Sequence, residues 1–187
     1  ELPADLFQVV TGRGRELGKP LIQNSNYICF TGSTETGRTI AQQAGEALIG
    51  CSLELGGKNP MLVLNDADID RTIDGAIRAC YSNGGQLCIS IERMYVQSGI
   101  YDTFVPRFLD RVRAMKLGTN FDYSVDMGSM ISDEQLEKIR QHVEDAVAKG
   151  ARAEAGGKAR PDIGPLFYEP TVLTGVNESM KLAREET

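Results

Sequence analysis

Residues 27–48 read YICFTGSTETGRTIAQQAGEAL. An apolar run, Tyr27–Thr31, suits a strand. A glycine-punctuated turn follows, then a helical pattern predicted from about Thr36 to Ile49, with Ile40, Ala44, Ala47 and Leu48 close to one face. Such a turn lets backbone approach a phosphate, and the helix behind it offers unpaired N–H groups and a positive end. Gly32–Thr39 differs at one position from the triphosphate loop G-x-x-x-x-G-K-S/T, with Arg38 where Lys should stand. The Arg fork is a poor replacement for that point charge, and Asp66 offers only a weak acidic strand end for Mg²⁺. On this turn alone three readings stay open: a plain strand–helix connection, a triphosphate site, or a site for another phosphate-bearing ligand.

Outward from this stretch, strand and helix patterns alternate. CSLEL (51–55), MLVL (61–64), RMYVQS (93–98) and YEPTVLTGV (168–176) read as strands. Asp66 or Asp68 can cap a helix running to about Tyr81. Ile100, Phe104, Phe108, Val112 and Met115 recur at helical spacing. Ser132 with Gln135 forms a capping-box pattern ahead of the stripe Leu136, Ile139, Val143, Ala146 and Val147. TGRGRELG (11–18) reads as a glycine-rich connector, and residues 151–165 as a turn-rich, partly extended stretch. The order predicts an α/β fold with a mostly parallel sheet.

The 187 residues are 41% hydrophobic and 25% charged, an ordinary globular composition. The net charge of −6 argues against nucleic acid or an anionic membrane as partner. No apolar run approaches the roughly 18 residues of a membrane span. Cys29, Cys51, Cys80 and Cys88 show no C-x-x-C spacing and a single histidine is present, which disfavours a zinc site. With no charged-then-apolar leader at the start, this cysteine usage predicts a reducing, cytoplasmic setting. The chain opens without an initiator Met and closes on KLAREET, and is expected to be an internal piece of a longer protein.

Three further positions can carry chemistry. Glu54 lies at a strand end before Gly56-Gly57, where a carboxylate can face a cleft, although an exposed strand-end Glu is the commoner case. Cys88 follows the flexible Gly84-Gly85 loop, where backbone N–H groups can favour a thiolate and present an attacking sulfur. Most free cysteines are instead small buried hydrophobes, the reading that suits Cys29 and Cys80 and, less clearly, Cys51. His142 is the obvious base for a Cys–His pair. It sits among Arg140, Glu144 and Asp145, off the apolar stripe, and is expected to be solvated.

Taken in order, FTGSTETG, LELGGKNP, GQLC with ERMYV, YEPTVL and the final REET resemble the aldehyde dehydrogenase superfamily across essentially the whole chain, and Cys88 follows Glu54 by 34 residues, as that family spaces its base and nucleophile. CSLELGGKNPM and GQLCISIERMYV are most similar to succinate-semialdehyde dehydrogenases. The resemblance implies the C-terminal part of a Rossmann-type coenzyme domain over 1–56 and the first half of an α/β catalytic domain over 57–187. It implies oxidation of a small-molecule aldehyde to its carboxylate with NAD or NADP, in a homo-oligomer, dimer or tetramer.

By the same resemblance Cys88 is the nucleophile, its backbone N–H meets the oxyanion, and Glu54 is the general base. Thr31, Gly32, Ser33 and Gly37 flank the coenzyme. The Leu55 carbonyl and Gly56 touch the nicotinamide amide, and Glu186 binds the nicotinamide ribose. The turn then meets a dinucleotide's pyrophosphate, and the triphosphate reading becomes remote. The family's oxyanion Asn and adenosine-ribose Lys have no counterpart in this sequence, so the 187-residue chain by itself is expected to be inactive. A second class stays open: a folded, non-catalytic piece that self-associates through bare sheet edges.

Overall fold

Alternating burial sets the faces of the strands at 27–32, 50–55 and 59–63, and a serine or aspartate side chain caps the start of three helices. The computed structural model describes residues 3, 5–120 and 122–187. It divides into two units, Glu1–Gly56 and Gly57–Thr187.

The first unit holds helix α1 (Gly14–Gln23), strand β1 (Tyr27–Gly32), helix α2 (Thr34–Glu46) and strand β2 (Gly50–Leu55). β1 and β2 pair in parallel, with Thr31 opposite Glu54 and Gly32 opposite Leu55. Ile28, Phe30, Cys51, Leu53 and Leu55 are half-buried on one face, while Tyr27, Cys29, Thr31, Ser52 and Glu54 are exposed on the other. Cys29 is therefore not the buried hydrophobe expected: the period-2 pleat carries it to the open face. The stretch expected as a glycine-rich connector is mostly helix α1. Glycine's helix penalty of about 1 kcal/mol is a weak prior that packing overrides. α2 starts and stops earlier than its periodicity indicated, because Ser33 caps it and Leu48 turns left-handed, with φ 57°.

The second unit runs β3 (Asn59–Val63), α3 (Ile69–Tyr81), a 3-10 turn (Ser82–Gly85), β4 (Ile91–Val96), α4 (Ser98–Arg113), α5 (Asp133–Ala148), β5 (Arg152–Ala155) and β6 (Val172–Thr174). Asp68 caps α3 by accepting from the Arg71 N–H at 3.0 Å, and Ser132 caps α5 by accepting from the Gln135 N–H at 3.2 Å. Val63, Ile73, Ile100, Phe104, Phe108 and Val112 form the main core, where α3 and α4 cover β3 and β4. The Phe104 and Phe108 rings stack with centroids 5.7 Å apart. β3 and β4 pair in parallel, but β5 and β6 pair antiparallel. The described strands thus form three separate pairs, not one mostly parallel sheet. Among the described residues no helix is long and apolar enough to cross a membrane.

Candidate functional site

At the C-terminal end of the β1–β2 pair lie the candidate coenzyme residues of the first unit. Thr31 and Glu54 are register partners on the exposed face, and Gly32 and Leu55 are partners one residue on. Parallel strands present ligands at this end. α2 starts two residues after β1 ends. The Ser33 hydroxyl accepts from the Thr36 N–H at 3.2 Å and closes the first turn. Gly37 is buried against Leu55: a Cβ there would come within 2.5 Å of Leu55 Cδ2, so glycine lets the start of the helix sit close to the strand end. With the Thr36 N–H capped by Ser33 and the Gly37 N–H donating to the Ser33 carbonyl at 2.9 Å, the Thr34 and Glu35 N–H groups at the head of α2 have no acceptor among the described residues. The same geometry disfavours the triphosphate reading. Thr34–Gly37 are helical, whereas a triphosphate loop must wrap those residues around the phosphates.

Glu54 is exposed, Leu55 and Gly56 are half-buried, and all three belong to the first unit together with Thr31, Gly32, Ser33 and Gly37. Cys88 and Glu186 belong to the second.

Cys88 is exposed in the turn before β4, closed by the Ser90 N–H donating to the Leu87 carbonyl at 2.9 Å. Two side chains hold this loop. Asn59, the first residue of β3, donates through Nδ2 to the carbonyl oxygens of Cys88 at 2.7 Å and Ser90 at 2.9 Å. Gln86 accepts from the Ile131 N–H at 2.9 Å and donates to the Asn83 carbonyl at 2.9 Å. Upstream the backbone runs left-handed at Asn83, Gly84 and Gly85, and a Cβ on Gly85 would lie 3.1 Å from the Cys80 carbonyl oxygen. No acceptor among the described residues takes the Cys88 N–H. Cys80, on α3, is half-buried, and burial pushes its thiol up to about 12, which disfavours its thiolate at neutral pH.

His142 is not solvated as expected. It is 3% exposed, with Nδ1 3.1 Å from Thr187 Oγ1 and Nε2 3.4 Å from a Glu185 carboxylate oxygen. Burial pulls its pKa below the usual value, against an upward pull from Glu185. Beside it, the Lys58 ammonium pairs with Glu92 and donates to Thr187 Oγ1 at 2.8 Å. These groups border a cavity of about 650 Å³ that Cys88 does not line. Among the described residues no group of three His, Cys, Asp or Glu is placed to hold a metal ion. The sequence reading missed Asn59 and Gln86 as loop anchors, although both lie inside the quoted motifs. An Asn just before a strand proline and a Gln beside a candidate thiol were the available signals.

The sequence matches the "Aldehyde dehydrogenase family" over residues 1–187. A relative from Mycolicibacterium smegmatis, provisionally named a succinate-semialdehyde dehydrogenase (NADP+), is 55% identical over 100% of this chain and 36% of its own length. A relative from Sinorhizobium fredii, also provisionally named a succinate-semialdehyde dehydrogenase (NADP+), is 46% identical over 96% of this chain and 37% of its own length. The chain thus spans little more than a third of the curated relatives it matches. Among solved structures, an aldehyde dehydrogenase from Brucella melitensis superposes with a TM-score of 0.92 at 42% identity, covering 99% of this chain and 38% of that one. A betaine aldehyde dehydrogenase from Staphylococcus aureus, solved with NAD+, gives 0.89 at 38% identity, covering 95% and 36%.

Proposed function

The chain belongs to the aldehyde dehydrogenase family, and on that premise we propose that the protein carrying it oxidises succinic semialdehyde to succinate with NADP+ or NAD+, using Cys88 as nucleophile and Glu54 as general base. The observation that carries this reading is the exposed Cys88 in a turn held by Asn59 and Gln86, with its own N–H uncommitted. The names of the relatives supply the aldehyde and the coenzyme.

In this reading Cys88 Sγ bonds to the aldehyde carbon, and the carbonyl oxygen gains negative charge. The Cys88 N–H donates to that oxygen, a fixed dipole that needs no reorganisation as charge develops. The bound coenzyme supplies the hydride acceptor, and the carbon is left as a thioester on Cys88. Glu54 takes a proton from water, the resulting hydroxide attacks the thioester carbon, and the thiolate leaves. The N-terminal end of α2 would hold the pyrophosphate, with Gly32 allowing close approach. Leu55 and Gly56 would meet the carboxamide, and Glu186 the ribose hydroxyls.

The test is coenzyme reduction by the protein that carries this chain, with succinic semialdehyde as substrate. Cys88→Ala should abolish it. Persistent reduction by that variant, or a strong preference for a neutral aldehyde over succinic semialdehyde, would refute the corresponding part of the reading.

A further inference from the structure

The second unit contains a half-buried polar cluster built on Lys58, Glu92 and Arg93, three residues that the proposed chemistry does not use. Its members come from four distant parts of the sequence: Lys58 after the glycine turn, Glu92 and Arg93 on β4, His142 on α5, and the segment Ala183–Thr187. The β3–β4 register slips between Asn59 and Pro60, so that Asn59 faces Ile91 and Pro60 faces Arg93. Glu92 is the extra residue of this bulge, a device that re-aims side chains. As a result two consecutive β4 residues reach the same segment. Glu92 accepts from the Thr187 N–H at 2.9 Å and pairs with Lys58. Arg93 donates to the Ala183 carbonyl at 3.3 Å and to the Lys58 carbonyl at 2.9 Å. The Lys58 and Glu92 side chains are only 8% and 14% exposed. His142 closes the cluster through Thr187 Oγ1 and Glu185.

We propose that this cluster is a latch that fixes residues 183–187 and thereby aims Glu186 at the coenzyme, with Glu92 as its central positioning residue. A 3-10 turn at Lys181–Ala183 precedes the segment, the Glu185 N–H donates back to the Lys181 carbonyl at 2.9 Å, and Glu186 itself is half-buried. A buried ion pair is weak support for stability, because desolvation offsets its attraction, but it can hold one geometry against others. Here the geometry held is that of the residue immediately before Thr187. The inference rests on the proposed role of Glu186, and its test separates the two.

Glu92→Gln keeps the shape and one acceptor but removes the charge. In the protein that carries this chain it should raise the coenzyme KM by about ten- to a hundredfold, the loss of one charge-assisted hydrogen bond expressed as affinity. Hydrolysis of p-nitrophenyl acetate, a coenzyme-free reading of thiol reactivity, should be unchanged. The double variant Glu92→Gln/Glu186→Gln should bind coenzyme no more weakly than Glu186→Gln alone, because the latch acts only through Glu186. Thr187→Val, a milder change, should move the coenzyme KM in the same direction and serves if Glu92→Gln does not fold. An unchanged coenzyme KM in the folded variants, additive effects in the double variant, or an equal loss of esterase activity would overturn the latch. An unchanged coenzyme KM in Glu186→Gln would instead overturn the role assigned to Glu186.

Discussion

Asn59 holds the carbonyl oxygen of Cys88 at 2.7 Å, and the same amide holds Ser90 at 2.9 Å. The start of one strand thus fixes the turn that leads into its neighbour. Asn59→Ala would leave both carbonyls without this donor, at a cost of about 1–3 kcal/mol in stability. A displaced nucleophile is costly to rate, so kcat should fall by about a hundredfold while the coenzyme KM stays near its original value. Steady-state kinetics with thermal unfolding of the same variant checks both.

The left-handed backbone before the thiol makes a second prediction. Gly85 has φ 78°, and a Cβ there would press on the Cys80 carbonyl oxygen. Gly85→Ala should destabilise by about 1–2 kcal/mol from the conformation alone and should lower kcat by shifting the Cys88 loop. Gly75→Ala, in α3 with no heavy atom within 4 Å of the added Cβ, is the control and should be neutral or slightly stabilising.

Thiol labelling distinguishes the cysteines without any assay of turnover. Iodoacetamide near neutral pH should modify the exposed Cys88 and Cys29 and spare Cys80, whose thiol burial pushes up to about 12. Peptide mass mapping after a short exposure reads this directly, and early labelling of Cys80 would contradict the burial argument.

His142 gives a pH dependence. Its folded pKa lies below the ordinary value of 6.5, chiefly through burial, with Lys138 and Lys58 adding and Glu185 opposing. The unfolded chain therefore binds the proton first as pH falls. The stabilising contribution is complete above 6.5 and is lost progressively below it, as pH falls through the folded pKa. The melting temperature should drop as pH is lowered from 7.5 toward 5.5, and His142→Asn should flatten that slope. An equal slope in the variant would show that other groups carry it.

Much of this was legible in the sequence where the signal is local. The Asp68 and Ser132 caps, the Phe104–Phe108 stripe and the glycines around Glu54 and Cys88 each act over a few residues, and each marks its element. Misplacements arose where distant residues decide. His142 sits among charged neighbours on α5 but is buried by Glu185 and Thr187, more than 40 residues on. The bulge that turns Glu92 is a property of strand pairing, and nothing in ERMYV marks it. Cys29 lies in an apolar run, yet the first unit covers only one face of its strand pair.

In the proposed mechanism the substrate carbon bonds to Cys88 and is released by water activated through Glu54. The most direct measurement is mass spectrometry of the Cys88 peptide from Glu54→Gln protein mixed with succinic semialdehyde and NADP+. A stoichiometric succinyl thioester on Cys88 should persist in this variant and should not accumulate with Glu54 intact. Steady turnover by Glu54→Gln with no acyl group on Cys88, or an acyl group on another residue, would contradict it.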